Sequence, residues 1–268
     1  MRKSTILIYI VLAAIVVVPY VAAGWSELPV DENFRRQAPG EFVQVTNGNI
    51  HYRWLGSEGG EIIVLVHGVS VPQYVFSQTA AALVDSGYRV LLFDHFGHGY
   101  SDRPVAAYDA DFFDLQMVED LNALGLHEPV NIGALSMGGV IAADFTARHP
   151  ERVKTLTLFA PAGLRLVNTG DSVLVSLMAT PVIGIGLWRI VARGFYFPVL
   201  GIFGDADDTI SLESAALLAD LILRAWVEII SGGTHHLNTH RWREVRDIIL
   251  SFLHNKVAMR LPADVQVE

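Results

Sequence analysis

A serine between small residues is the first feature of this 268-residue chain that could do covalent chemistry. Ser136 lies in the run 131–139, directly after a short apolar stretch and directly before the apolar residues 140–143. This order predicts a strand that turns at once into a helix and raises one hydroxyl above the sheet, beside a helix N-terminus. Ala134 and Gly138 stand two positions to either side, where larger side chains would collide with the neighbouring strand and helix. Ser136 is therefore a candidate nucleophile, provided that an acid and a histidine follow it in the chain.

Both partners follow in that order. Residues 198–208 form an apolar run that ends in a glycine and a cluster of three aspartates. Residues 226–236 form a second such run, which ends in a glycine-rich loop with two histidines. A serine hydroxyl is a weak nucleophile at neutral pH, so it needs a base within hydrogen-bond reach and an acid that orients the base. The chain order Ser, Asp, His is the one that a nucleophile on a strand–turn–helix requires.

With these motifs the chain resembles the α/β-hydrolase family from about residue 40 to residue 253. Three further stretches carry the resemblance: Val-His-Gly at 66–68, Leu-Phe-Asp-His-Phe-Gly-His-Gly-Tyr-Ser-Asp-Arg-Pro at 92–104, and His-Pro-Glu-Arg-Val at 149–153. The resemblance implies an α/β fold with a mostly parallel central sheet flanked by helices. It also implies a lid over the active site, which here is short and falls at about residues 164–196.

The resemblance implies that His235 is the general base. Relatives place an aromatic-leucine pair in the closing helix at a fixed distance from the base, and Phe252-Leu253 matches that distance when counted from His235. His236 is the alternative base. Either imidazole would take the serine proton and then return a proton to the leaving group.

The acid is expected three residues after the glycine that ends its strand, which is Asp207. Asp205 and Asp208 are competitors whose other role would be to cap the loop. By resemblance, the oxyanion formed on the attacked carbonyl is held by the backbone N–H groups of Val69 and Met137. Each such donor typically lowers the barrier by about 3 kcal/mol.

A serine at the nucleophile position argues against the dehalogenase and epoxide-hydrolase branches, which use aspartate there. What remains is hydrolysis of carboxylic esters through an acyl-serine intermediate, as in serine esterases and lipases. The apolar lid and the N-terminus favour esters of hydrophobic acids or alcohols, such as monoacylglycerol-like lipids. Two alternatives remain open: a C–C bond hydrolase or perhydrolase with the same triad, and a non-catalytic binding protein with a shortened lid.

The elements that must position these groups follow from the pattern of apolar residues. Continuous apolar runs at 62–66 and 89–93 are typical of strands covered on both faces. Alternation of such strands with helices predicts a mostly parallel sheet, and the segments 42–46 and 50–55 predict a hairpin at its antiparallel edge. Helices are expected at 73–85, 112–124, 213–221 and 241–253, and a further strand at 153–159.

Composition excludes several other functions. The net charge of −9 and the absence of a basic stripe argue against a nucleic-acid partner. The absence of cysteine excludes disulfides, thiol catalysis and thiolate metal sites. His236 and His240 are four residues apart, but no third ligand accompanies them, so neither a metal nor a cofactor is expected. The other histidines are interpreted as packing residues (His95, His98) or as surface and capping residues (His51, His127, His149, His254).

The N-terminus differs from the rest of the chain. A basic start is followed by an uncharged run over residues 5–23, which is close to the length that crosses a bilayer. Small residues before Gly24 also suit a signal-peptidase cut. The sequence thus predicts a signal peptide or a membrane-anchoring hydrophobic helix at 1–24, and a membrane-anchored or exported (periplasmic or secreted) protein. A connector at 25–40, an α/β-hydrolase domain at 41–256 and a C-terminal tail at 257–268 complete the predicted organisation.

Overall fold

The computed structural model describes residues 30–69, 71–163, 198–222 and 225–255. The predicted N-terminal hydrophobic segment, lid and C-terminal tail lie outside these residues. The chain divides into two units, residues 1–37 and 38–268. In the first unit a short helix, α1 (Glu32–Arg35), begins after Asp31, whose side chain accepts a hydrogen bond from the N–H of Phe34. None of the helices in the described ranges combines the length and the apolar character needed to cross a bilayer.

In the second unit, eight described strands form one sheet in the order β1-β2-β4-β3-β5-β6-β7-β8. Strands β1 and β2 pair antiparallel and β2 pairs antiparallel with β4, whereas every pair from β4 to β8 is parallel. The predicted hairpin at the antiparallel edge of a mostly parallel sheet is therefore confirmed. The strands are β1 (Glu41–Val45), β2 (Gly48–Leu55), β3 (Ile62–Val66), β4 (Arg89–Phe93), β5 (Val130–Leu135), β6 (Val153–Phe159), β7 (Val199–Gly204) and β8 (Ala225–Ile230).

Helices alternate with the strands in the sequence, and two more follow the last strand. They are α2 (Ser77–Asp85), preceded by a 3₁₀ turn at Gln73–Phe76, α3 (Ala110–Ala123), α4 (Met137–Arg148), α5 (Glu213–Leu221), α6 (Leu237–His240) and α7 (Trp242–Asn255). The connection from α4 to β6 contains a second 3₁₀ turn at Pro150–Arg152. Short connections of this kind return the chain to the amino end of the next parallel strand.

Two hydrophobic cores lie on the two faces of the sheet, and β3 contributes to both. Val64 and Val66 belong to one core with residues of α3, α4 and α5. Ile63 and Leu65 belong to the other, with residues of α2 and α7. Because alternate side chains of a strand point to opposite faces, a strand covered on both sides must be apolar throughout. The fold class expected from the sequence is thus confirmed, and the carboxyl ends of β3, β5, β7 and β8 share one edge of the sheet.

Candidate active site

Ser136 stands at the turn between β5 and α4. Its backbone lies at φ 52° and ψ −116°, a region that residues other than glycine rarely adopt. Such a conformation costs on the order of 1–3 kcal/mol and persists only where the surroundings enforce it. Here the N–H of Ser136 donates to the carbonyl of Phe159, and its own carbonyl accepts from the N–H groups of Gly139 and Ala162. These three hydrogen bonds hold the turn against β6 and the loop that follows it.

The small residues near Ser136 are required by close backbone approach. A Cβ at Gly138 would lie 2.5 Å from the carbonyl oxygens of both Val66 and His67. A Cβ at Gly68 would lie 3.1 Å from the Cβ of Ser136. The start of α4 therefore packs directly on the loop that follows β3. This explains why the chain needs glycine two residues after the serine.

The structure brings Ser136, His235 and Asp207 together in one chain of hydrogen bonds. Nε2 of His235 lies 3.1 Å from Oγ of Ser136, and Nδ1 of His235 lies 3.1 Å from Oδ2 of Asp207. A carboxylate can only accept, so the ring proton belongs on Nδ1 and Nε2 is free to accept the hydroxyl proton. The three groups come from the ends of β5, β7 and β8. They therefore meet at the shared carboxyl edge.

Asp207 is held as a carboxylate. Its side chain is almost fully buried, and its second oxygen accepts hydrogen bonds of 2.8 Å from the backbone N–H groups of Thr209 and Ile210. Burial by itself would raise the pKa of Asp207. The hydrogen bonds from His235, Ile210 and Thr209 outweigh it, so the pKa of Asp207 lies below its ordinary value. A buried negative charge is thus available to orient the imidazole and to stabilise its protonated form.

The competing acids have other contacts. Asp205 accepts hydrogen bonds from the N–H of Gly232 and the hydroxyl of Ser231, which fasten the two loops to each other. The N–H of Ala206 donates to the carbonyl of Gly233 at 2.9 Å, and a Cβ at Gly204 would lie 2.0 Å from the same oxygen. Asp205 therefore links the β7 and β8 loops, whereas Asp207 contacts His235.

Asp208 and His236 also lie apart from the hydrogen-bonded chain. The carboxylate of Asp208 accepts from the hydroxyl of Thr209 at 3.2 Å. The ring of His236 is exposed and lies between those of His235 and His240, with centroid distances of 5.8 and 6.3 Å. Of the alternatives left open by the sequence, the geometry joins Asp207 and His235 to Ser136.

The two expected oxyanion donors flank the serine. Met137 is the first residue of α4, where a helix leaves its N–H groups without intrahelical acceptors. Val69 follows Gly68, which lies against Ser136, and Val69 as a residue is 56 % exposed. A negative charge that develops beside Ser136 would also lie at the positive end of the α4 dipole.

A buried pair behind the site was missed by sequence reasoning. The interpretation of His51 as a surface or capping residue was wrong, because its side chain is 2 % exposed. Its Nδ1 lies 2.8 Å from Oδ2 of Asp94, which also accepts from the N–H of Tyr100, while Oδ1 accepts from the N–H of Gln73. Burial would raise the pKa of Asp94, but these hydrogen bonds, led by the one from His51, lower it. The pair connects β2 to the loops after β3 and β4.

Comparison with known proteins supports the fold. Residues 61–186 match the family model described as alpha/beta hydrolase fold. The protein named "Putative non-heme chloroperoxidase" from Synechocystis sp. is 27% identical over 264 residues, which cover 76% of this chain and 95% of that protein. Lipase 1 of Psychrobacter immobilis is 32% identical over 124 residues, which cover 46% of this chain but only 36% of the lipase.

A solved structure has the same architecture. The meta-cleavage product hydrolase from Pseudomonas fluorescens IP01 superposes with a TM-score of 0.68 at 21% sequence identity. The superposition covers 81% of this chain and 98% of that chain. The motifs, the sheet order, the family match and this superposition lead to one conclusion: the chain has the α/β-hydrolase fold.

Proposed function

We propose that this protein is a serine hydrolase that cleaves carboxylic esters of hydrophobic substrates through an acyl-serine intermediate. The observation that carries the proposal is the continuous hydrogen-bonded chain from Ser136 through His235 to the buried carboxylate of Asp207. Its two contacts of 3.1 Å are within the range expected for a nucleophile, its base and the acid that orients the base.

In the first half of the reaction, Oγ of Ser136 attacks the ester carbonyl carbon while Nε2 of His235 takes the hydroxyl proton. The carbonyl oxygen becomes an oxyanion, which accepts hydrogen bonds from the N–H groups of Met137 and Val69. The tetrahedral intermediate then expels the alkoxide, and the imidazolium of His235 protonates it to the free alcohol. Asp207 stabilises the imidazolium and remains ionised.

In the second half, water replaces the alcohol. His235 takes a proton from the water as its oxygen attacks the acyl carbon, and the second oxyanion occupies the same donors. Collapse of this intermediate breaks the bond to Oγ of Ser136, which recovers the proton from His235. The products are one alcohol and one carboxylic acid, and the enzyme returns to its starting state.

The preference for hydrophobic esters is supported by the surface around the site. Val69 and Tyr74, after β3, and Val105, after β4, are all exposed on connections that leave the carboxyl edge of the sheet. An apolar acyl or alcohol group bound there would cover apolar surface that otherwise faces water. Similarity to a bacterial lipase over nearly half of this chain favours the same class. Membrane attachment or export through residues 5–23 forms part of the proposal, since it would bring the enzyme close to lipid esters.

The test uses the full-length protein, a fluorophosphonate probe and p-nitrophenyl esters of graded chain length. We expect covalent labelling of Ser136 and turnover of the longer esters, both abolished in Ser136→Ala. In triad enzymes the loss of the serine costs about six orders of magnitude in kcat. A matched pair, His235→Asn and His236→Asn, separates the two histidines, because only the first should lose turnover.

Three results would contradict the proposal in different ways. Near-normal ester turnover in Ser136→Ala would refute the assignment of the nucleophile. Labelling without turnover of any ester, combined with cleavage of a vinylogous diketone or with peracid formation, would favour the C–C hydrolase or perhydrolase. A folded wild-type protein that takes up no probe would favour the non-catalytic binding protein.

A further inference from the structure

His67 directly follows β3, two residues before Val69, and is fully buried. Its Nδ1 lies 2.8 Å from the carbonyl oxygen of Gly68. Its Nε2 lies 2.9 Å from the backbone nitrogen of His95, in the loop after β4. Both ring nitrogens thus have a polar backbone partner.

These two contacts allow only one form of the ring. The N–H of His95 can only donate, so Nε2 of His67 must be the acceptor and carries no proton. The carbonyl of Gly68 can only accept, so Nδ1 carries the proton. The alternative tautomer would set two donors against each other at Nε2 and two acceptors at Nδ1. The imidazolium would lose the contact with His95.

The carbonyl that His67 holds belongs to the same peptide group as the N–H of Val69. A trans peptide is planar, and its C=O and N–H point in opposite directions. When Nδ1 of His67 fixes the oxygen of Gly68, it therefore fixes the direction of the N–H of Val69 as well. Rotation of this peptide by half a turn would break the hydrogen bond and replace the donor by a carbonyl oxygen.

Val69 gives the peptide little support of its own, because more than half of the residue is exposed to solvent. The start of α4 packs on the other side of the loop, where Gly138 lies against the carbonyl oxygens of Val66 and His67. These contacts position the loop, and within the part of the chain that the structure describes the hydrogen bond from the ring of His67 sets the rotation of the Gly68–Val69 peptide. From this geometry we infer that His67 is a positioning residue that orients the N–H of Val69 as an oxyanion donor. The inference rests on the proposed function.

Buried polar groups connect the loop that contains His95 to helix α3. Next to His95, the N–H of Phe96 donates to Oε1 of Gln116 at 3.2 Å, and Nε2 of Gln116 donates to Oδ2 of Asp120 at 3.1 Å. Burial raises the pKa of Asp120 well above its ordinary value, against the opposing effect of the hydrogen bond from Gln116. The loop that supplies the donor to His67 is thus tied to a helix of the core.

The charge state of His67 agrees with this role. Burial, the main cause, lowers its pKa to about 4, against opposing effects of the Gly68 carbonyl and of Asp94. The rings of His95 and His98 face it, with centroid distances of 4.5 and 5.2 Å. The neutral tautomer therefore persists throughout the neutral pH range in which a serine hydrolase works.

Two substitutions test the inference, because each retains a polar group at the position of only one of the two ring nitrogens of His67. In His67→Asn, the side-chain amide nitrogen takes the place of Nδ1 and can still donate to Gly68. In His67→Gln, the amide reaches the place of Nε2, and the donor to Gly68 is lost. We expect His67→Gln to lose about 10²- to 10³-fold in kcat, as for the loss of one oxyanion donor, with KM little changed. His67→Asn should stay within about tenfold of the wild type.

A second measurement separates orientation from a general effect on the fold. The affinity of a trifluoromethyl ketone, which forms the tetrahedral adduct with Ser136, should fall in His67→Gln in proportion to kcat. Equal losses of kcat in the two variants, or a folded His67→Gln with nearly wild-type kcat, would overturn the inference. If His67→Gln does not fold, the ¹⁵N signals of the histidine rings in the wild type decide: a proton on Nε2 of His67 refutes it, and one on Nδ1 supports it. A wild type without labelling or turnover would refute the proposed function and, with it, this inference.

Discussion

Through its imidazole, His67 should lower the unfolding free energy of this protein as the pH falls from about 6.5 to 4. Its folded-state pKa is about 4, against an ordinary value of 6.5. Between these values the unfolded chain binds a proton at this residue and the folded protein does not. Stability therefore rises with pH across this window and is lost as the pH falls through it. Removal of the imidazole, in His67→Asn, should remove this part of the pH dependence.

The size of the effect follows from the two pKa values. They differ by about 2.5 pH units, and each unit corresponds to about 1.4 kcal/mol, so the full contribution of His67 is about 3 kcal/mol. Between pH 7 and pH 4.5 most of it, roughly 2 kcal/mol, should be expressed. The variant should be less stable than the wild type at pH 7, because it loses ring packing and one hydrogen bond. That difference should shrink by roughly 2 kcal/mol at pH 4.5.

Urea unfolding at pH 7, 6, 5 and 4.5, followed by tryptophan fluorescence, measures the difference in unfolding free energy between the wild type and His67→Asn. Other shifted groups remain in both proteins: burial also lowers the pKa of His95, and the lowered pKa values of Asp94 and Asp207 matter below their ordinary value of 3.8. Thr146→Val serves as the control, because it removes a buried, uncharged hydrogen bond to the carbonyl of Ala142. Its destabilisation should be the same at every pH. If the His67→Asn difference is equally constant, the reasoning about His67 is wrong.

Two matched pairs of substitutions test the site itself. Asp207→Asn should lower kcat by about 10⁴-fold, because the imidazole of His235 loses the partner that sets its tautomer, whereas the kcat of Asp205→Asn should stay within about tenfold of the wild type. Steady-state kinetics with one ester compares the two variants. A similar loss of kcat in both would contradict the choice of Asp207 as the acid. Gly138→Ala should destabilise the fold by about 1–3 kcal/mol, because its Cβ would lie 2.5 Å from two carbonyl oxygens. Gly59→Ala, whose Cβ would meet nothing within 4 Å, should leave the melting temperature nearly unchanged, and equal melting temperatures for the two alanine variants would refute the packing argument.

The strands that are buried on both faces could be predicted from the sequence with their bounds. Residues 62–66 and 89–93 are strands from the first predicted residue to the last, and so are residues 153–159, which are apolar apart from the exposed Lys154 and two threonines. An element covered on both sides needs a continuous apolar run, and such a run is visible without knowledge of its neighbours. The segment 73–85, by contrast, was expected as one helix and begins as a 3₁₀ turn before α2. The apolar periodicity of the two helix types over one turn is too similar to separate them.

The site could be predicted where its residues follow a motif, and only there. The order of the motifs and the resemblance to the α/β-hydrolase family predict Ser136, Asp207 and His235, and the fold brings these three together at hydrogen-bond distance. His51 was misread, because its partner Asp94 is 43 residues away and lies on another strand end. The tautomer of His67 depends on a backbone N–H 28 residues away. Pairings across loops of this kind depend on the packed structure and leave no local pattern in the sequence.

The contacts between the β7 and β8 loops have a consequence for how the sequence of the proposed hydrolase can vary. Gly204 and Gly233 meet backbone to backbone, and Asp205 bonds both Ser231 and Gly232. A change of length or bulk in one loop would therefore displace the acid and the base together. Libraries that randomise one of these loops alone should yield few active clones, and selection for new substrates would succeed sooner in the connections after β3 and β4.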